Sequence, residues 1–191
     1  MKKIAVFASG TGSNFQAIID AVTANKLHVD VALLVCDRPN AEVVVKAELA
    51  EVPVFAFEPK QFTSKAAFEQ EIIHQLEQND VEFIVLAGYM RLVGPTLLTA
   101  FANKIINIHP SLLPAFAGKD AIGQAVQAGV KITGVTIHFV DEGMDTGPII
   151  AQKAVELADE DELSDVTRKI HEIEHIFYPE TLEKLLGKKV Q

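Results

Sequence analysis

Five short runs rich in Val, Ile, Leu and Phe, separated by stretches with helical periodicity, fill the first 108 residues of the chain. The runs are Lys3–Ala8, Val29–Cys36, Val54–Phe57, Phe83–Leu86 and Lys104–Ile108. Several are apolar on consecutive rather than alternate residues, as strands covered on both faces are. Between them, Asn14–Ala24 repeats apolar residues at Phe15, Ile18, Ile19 and Val22. Ala41–Ala50 and Ser64–Gln78 are the next helical segments, with Ser64 as N-cap, and a shorter one runs from Pro95 to Phe101 with Pro95 in its first turn. This succession predicts an α/β fold, a doubly wound, Rossmann-like sheet with right-handed crossovers. Ligands in such sheets bind beyond the carboxyl ends of the strands. The places to look are therefore Ser9–Asn14, Gly88–Val93 and the stretch after Ile108.

The remainder has a different rhythm. His109–Asp120 reads as a loop, Asp120–Ala128 as a helix, Ile132–Val140 and Gly147–Leu157 as strands, and Glu162–Leu186 as a closing helix. No linker, repeat or compositional break divides the chain, so one domain over residues 1–191 is expected. Met1–Ala8 has a basic start and an apolar run, but Gly10, Gly12 and Asn14 follow at once, so it reads as a first strand rather than a leader. No apolar run reaches the ~18 residues of a membrane helix. Cys36 is the only cysteine, which excludes an intramolecular disulfide and fits a cytoplasmic setting. The net charge of −9 disfavours nucleic acid as a partner, and Lys188-Lys189 reads as a solvated tail. A small anion remains compatible, because backbone N–H groups can outweigh global charge locally.

Such an anion site is offered by Ser9-Gly10-Thr11-Gly12-Ser13-Asn14, which links the first strand to the first helix. Its glycines let the backbone turn and approach a ligand, and the helix start supplies free N–H groups. Phe15 stands where a dinucleotide fingerprint has its third glycine, and there is no P-loop lysine. A single phosphate is the better match.

Asn107 and His109 lie two apart, on one side of the last apolar run, at its carboxyl end. An amide there can donate to a developing oxyanion, and an imidazole can exchange a proton near neutral pH. The loop Asp141–Pro148 carries acids that could steady a protonated His109, and Asp141, Glu142 and Asp145 are equally eligible. His171 and His175 are four apart on a helix, but no third ligand accompanies them, so no metal site is expected. No serine nucleophile elbow occurs.

These segments resemble the phosphoribosylglycinamide formyltransferase family, the folate-dependent enzymes of purine synthesis. The resemblance rests on Ala8–Phe15, Leu86–Arg91, Asn107–Phe116, Gly134–Val140 and Asp145–Gln152, in the family's order. The Asn107-Ile108-His109-Pro110-Ser111-Leu112-Leu113-Pro114 string marks the wider superfamily, and Glu174-His175 with Tyr178-Pro179 the glycinamide ribonucleotide branch. It implies a mostly parallel sheet with antiparallel C-terminal additions. It implies formyl transfer from 10-formyltetrahydrofolate to the amine of glycinamide ribonucleotide, without a metal. By resemblance, His109 is the proton donor, Asp145 holds it and raises its pKa, and Asn107 contacts the formyl group. Gly12, Ser13 and Asn14 take the phosphate, and His171 and Glu174 the glycinamide side. Lys65, Met90, Arg91, Leu92, Val93, Asp141, Glu142, Gly143, Met144 and Asp145 lie along the folate, and Asp141–Gly147 is a candidate lid. Two departures stand out: Lys65 replaces an arginine found in some members, and Ala117 a proline. The family also implies a cis Leu113–Pro114 bond. Formyltetrahydrofolate hydrolases and methionyl-tRNA formyltransferases carry further domains that this chain is not expected to have. A non-catalytic nucleotide-binding module would explain Ser9–Asn14 but not the other two loops. A homodimer stays open.

Overall fold

All five apolar runs form parallel strands. The computed structural model describes residues 1–187, and the Lys188-Lys189 pair lies outside the described residues. The strands are β1 (Lys2–Ala8), β2 (Val29–Cys36), β3 (Val54–Ala56), β4 (Phe83–Leu86), β5 (Ile105–His109), β6 (Ile132–Phe139) and β7 (Ile149–Glu156). The helices are α1 (Ser13–Thr23), α2 (Glu42–Leu49), α3 (Lys65–Gln78), α4 (Pro95–Ala100), α5 (Ala121–Ala128) and α6 (Leu163–Leu186). One sheet runs in the order β3-β2-β1-β4-β5-β6-β7. β1 to β5 pair in parallel, and β6 and β7 add antiparallel to β5 and to each other.

The consecutive apolar residues follow from helices on both faces. In β1, Ile4, Val6 and Ala8 enter one core with Phe15 and Ile18 of α1, Val43 of α2 and Ile170 of α6. Ala5 and Phe7 enter the other, with Phe68, Ile72 and Leu76 of α3 and Leu97 of α4. An alternating pattern would have left one of these faces without a core.

Helix starts agree with local chemistry. The Ser64 hydroxyl accepts from the Ala67 N–H at 3.1 Å, and Asp120 caps α5 through the Gly123 N–H. Glu162 and Asp165 form a capping box at the start of α6. Boundaries shift by a residue or two where tertiary pairing decides. β5 runs on through His109 because β6 pairs with it, Asn107 opposite His138 and His109 opposite Thr136. β7 starts only at Ile149, after Pro148, which has no N–H to give a ladder.

β1 lies between β2 and β4, so the chain leaves β1 in one direction and returns on its other side. That switch point opens a crevice at the strand carboxyl ends. α6 closes the opposite side of the crevice. Its buried Tyr178 hydroxyl donates to the Leu86 carbonyl at 2.9 Å, on β4.

Candidate active site

The crevice is a cleft of about 1320 Å³, more than one drug-sized ligand needs. All three expected loops line it: Gly10–Asn14 after β1, Gly88–Val93 after β4, and Asn107–Pro110 at the end of β5.

The first loop ends in a left-handed residue, Gly12, with φ +73°. A Cβ there would meet the Val43 side chain at 2.5 Å, so only glycine fits without displacing a buried neighbour. No side chain caps α1. Its first N–H groups therefore keep their capacity for an anion. Lys46 Nζ donates to the Thr11 carbonyl at 2.7 Å and braces the turn from behind. Asn14 Nδ2 donates to Glu174 Oε2 at 3.1 Å, while Asn14 Oδ1 is buried with no hydrogen-bond partner among the described residues. Glu174 is only 5% exposed. Burial raises its pKa to about 7, against the opposing Asn14 hydrogen bond. His171 lines the cleft beside it.

Asn107 and His109 point from β5 into the cleft, as their spacing predicts. His109 is held at both ring nitrogens. Nε2 lies 2.9 Å from the Phe116 carbonyl and is the donor of that pair, because a carbonyl can only accept. Nδ1 faces Asp145 Oδ2 at 3.4 Å. Asp145 also accepts the Gly118 N–H at 2.8 Å, which joins the 109–120 loop to the 141–147 loop. Of the three acids, Asp145 is the one placed beside His109. Asp141 is engaged by its own turn, accepting from the Gly143 N–H and the Thr146 hydroxyl, and Asp141 and Glu142 are not among the residues lining the cleft. Gly143 and Met144 do line it, with Met144 53% exposed.

His138 was not expected here: an alternating strand residue gives no sign of which face it takes. The β5–β6 register puts it opposite Asn107. Its Nδ1 lies 2.8 Å from the Phe139 carbonyl and so carries the hydrogen. Burial lowers its pKa, so the ring is neutral with Nε2 as an acceptor. Nε2 takes one hydrogen of the Asn107 amide at 3.3 Å, which fixes the amide and leaves its other N–H free. Nε2 is also 3.7 Å from Asp145 Oδ1; with a neutral ring this is proximity rather than an ion pair.

The loop behind His109 is equally determined. Its Leu113–Pro114 bond is cis, and Phe116 has φ +53°, a conformation bulky residues rarely take. The buried Thr136 hydroxyl donates to the Ser111 carbonyl at 2.7 Å and accepts from the Leu113 N–H at 3.0 Å. Gln152 adds a bond to the Leu113 carbonyl. Neither Thr136 nor Gln152 stood out in the sequence as a support for this loop.

On the remaining wall, Met90 and Leu92 are exposed and Val93 is buried. Lys65 Nζ donates to the Leu92 carbonyl at 2.5 Å. The departure from arginine therefore gives a point donor that steadies this segment as well as a cation beside it. Among the described residues no group of three or more His, Cys, Asp and Glu side chains could hold a metal, and no helix is long and apolar enough to cross a membrane.

Comparison with known proteins gives a consistent picture. The formyl transferase family model matches residues 2–182. The chain is 59% identical over 187 residues to phosphoribosylglycinamide formyltransferase of Bacillus subtilis, covering 98% of this chain and 96% of that one. It is 40% identical to a segment of the trifunctional purine biosynthetic protein adenosine-3 of Drosophila melanogaster, spanning 97% of this chain and 14% of that protein. Among solved structures, glycinamide ribonucleotide transformylase 1 from Geobacillus kaustophilus superposes with a TM-score of 0.96 at 58% identity, over 98% of this chain and 100% of that one. With the family model spanning residues 2–182 and a relative 59% identical over nearly the whole of both chains, the chain belongs to the formyl transferase family.

Proposed function

We propose that the cleft transfers the formyl group of 10-formyltetrahydrofolate to the glycinamide amine of glycinamide ribonucleotide, a step of purine synthesis. One observation carries this reading. Asn107, His109 and Asp145 meet in a cleft that also contains an uncapped helix start and a buried acid, Glu174. A binding module has no use for the first group, and a hydrolase has none for the second.

The roles follow from the chemistry. The phosphate sits on the N–H groups of Gly12, Ser13 and Asn14. Glu174 receives the glycinamide amine, and the unpartnered Asn14 Oδ1 is an acceptor for a donor on the same ligand. His171 stands along this side. Lys65, Met90, Arg91, Leu92, Val93, Gly143 and Met144 form the folate wall, with exposed apolar side chains for a flat heterocycle and cations for an acidic tail.

The amine nitrogen attacks the formyl carbon, a C–N bond forms, and the carbonyl oxygen gains negative charge. The free N–H of Asn107 answers that charge. The bond from the formyl carbon to folate N10 then breaks, N10 takes a proton, and the amine nitrogen releases one. His109 supplies the proton to N10. Its Nε2 hydrogen is tied to the Phe116 carbonyl, so Nδ1, on the side of Asp145, is the nitrogen that exchanges. Asp145 orients the ring and balances the charge it carries.

The test is product identification with both substrates present and with each omitted. Formylglycinamide ribonucleotide and tetrahydrofolate should appear in equal amounts, only with both. Formate released without glycinamide ribonucleotide would indicate hydrolysis instead.

A further inference from the structure

Two carboxylates lie buried beside the cleft without a part in this chemistry, Asp37 and Glu69. Glu69, on α3, accepts the N–H groups of Gly94 and Leu97 at 2.6 and 3.2 Å, and so caps α4 just beyond the folate wall. Asp37 is placed differently. It follows β2 directly, and its side chain is 3% exposed. Its Oδ1 accepts from the Ser9 hydroxyl at 2.5 Å, and its Oδ2 from Arg91 Nε at 2.7 Å. The Ser9 hydroxyl in turn accepts the Met90 N–H at 2.9 Å, and the Ser9 N–H donates to the Gly88 carbonyl at 3.1 Å.

These partners all stand on two segments. Ser9 opens the Gly10–Asn14 loop, and Gly88, Met90 and Arg91 belong to the segment after β4. A buried charge is a poor device for stability, since an apolar side chain of the same volume does as well or better. What the carboxylate adds to the β1–β4 pairing and the Ser9–Gly88 backbone bond is a two-pronged side-chain tie between the two loops.

We infer that Asp37 is a positioning residue that couples the two substrate sites, so that occupancy of the ribonucleotide loop strengthens folate binding and the reverse. The inference rests on the assignment of these loops to phosphate and folate made above. A phosphate on Gly12–Asn14 fixes the loop that begins at Ser9. Ser9 and Asp37 then hold the Met90 N–H and Arg91 where the folate meets them. Because the link is one of binding free energies, each ligand raises the affinity of the other by the same factor.

The dissociation constant of tetrahydrofolate, measured calorimetrically with and without saturating glycinamide ribonucleotide, tests this. In the wild type the ribonucleotide should tighten binding by about fivefold or more. In Asp37→Asn, which keeps the volume but offers an N–H where Ser9 or Arg91 needs an acceptor, the factor should fall to one. Ser9→Ala removes the middle of the tie and should do the same; it decides the matter if Asp37→Asn does not fold. Glu69→Gln should weaken tetrahydrofolate binding yet keep the factor. A wild type that binds both ligands independently overturns the inference alone, as does a factor that survives both variants or is lost equally in Glu69→Gln. A wild type that fails to bind the two ligands at all overturns the assignment of the loops together with the inference.

Discussion

Glu174 shows what a single residue costs and contributes. Its carboxyl is raised to about 7 from 4.5 because α6 and α1 bury it, and the one Asn14 hydrogen bond does not offset that. The native state therefore holds a proton that the unfolded chain has lost between those values. Stability from this group is fully present below about 4.5 and is lost as pH rises through about 7. Glu174→Gln keeps the acceptor for Asn14 and removes the ionisation. Thermal melting of the ligand-free protein should show the variant more stable than wild type above pH 7, by at most about 3 kcal/mol, with the gap closing toward pH 4. The same variant should raise KM for glycinamide ribonucleotide. A variant less stable at every pH would contradict this picture of the site. Activity of the wild type should fall on the acid side, since the attacking amine must be unprotonated and a protonated Glu174 cannot take its proton. A flat profile between about pH 5 and 8 would speak against it.

At the scale of elements, the site is built from ends: the start of α1, the carboxyl ends of β1, β4 and β5, and the loops after β5 and β6. The start of α1 is the most demanding. Gly12 has φ +73° and lies against the backbone and side chain of the fully buried Val43. Gly12→Ala combines left-handed strain with a clash into the core, so a loss of about 2 kcal/mol in stability is expected. Denaturant unfolding would measure it, and KM for the ribonucleotide should rise while KM for the folate changes less. Unchanged stability would mean that the loop relaxes freely and is not the rigid cradle described here. Substituting Ala at Gly10, whose Cβ would meet no atom within 4 Å, is the matched control.

The whole molecule was legible in the sequence where the information is local or periodic. Runs such as Val29–Cys36 and Phe83–Leu86 announced doubly covered parallel strands, and the glycines after β1 and the Asn107–His109 spacing announced the face on which the cleft opens. What stayed hidden depends on which chain segments meet. His138 reaches the cleft only through the β5–β6 register, and Asp145, which the residues alone did not separate from Asp141 and Glu142 and only the resemblance named, meets His109 because its loop folds back onto Gly118. Asp37 carried the same local signal as Asn107, a polar residue at the carboxyl end of a parallel strand. Its meaning required Ser9 and Arg91 in place around it.

The chemistry likewise belongs to the assembled cleft, and a single-turnover measurement reads it most directly. The rate of formyl transfer from 10-formyltetrahydrofolate to saturating glycinamide ribonucleotide should be compared for the wild type, His109→Ala and Asn107→Ala. The wild type should convert the bound pair, with the rate lowered about 10²–10⁴-fold in His109→Ala and about 10²–10³-fold in Asn107→Ala, while both variants still bind the ribonucleotide. Transfer at the wild-type rate in His109→Ala, or no transfer by a wild type that binds both substrates, would contradict the account.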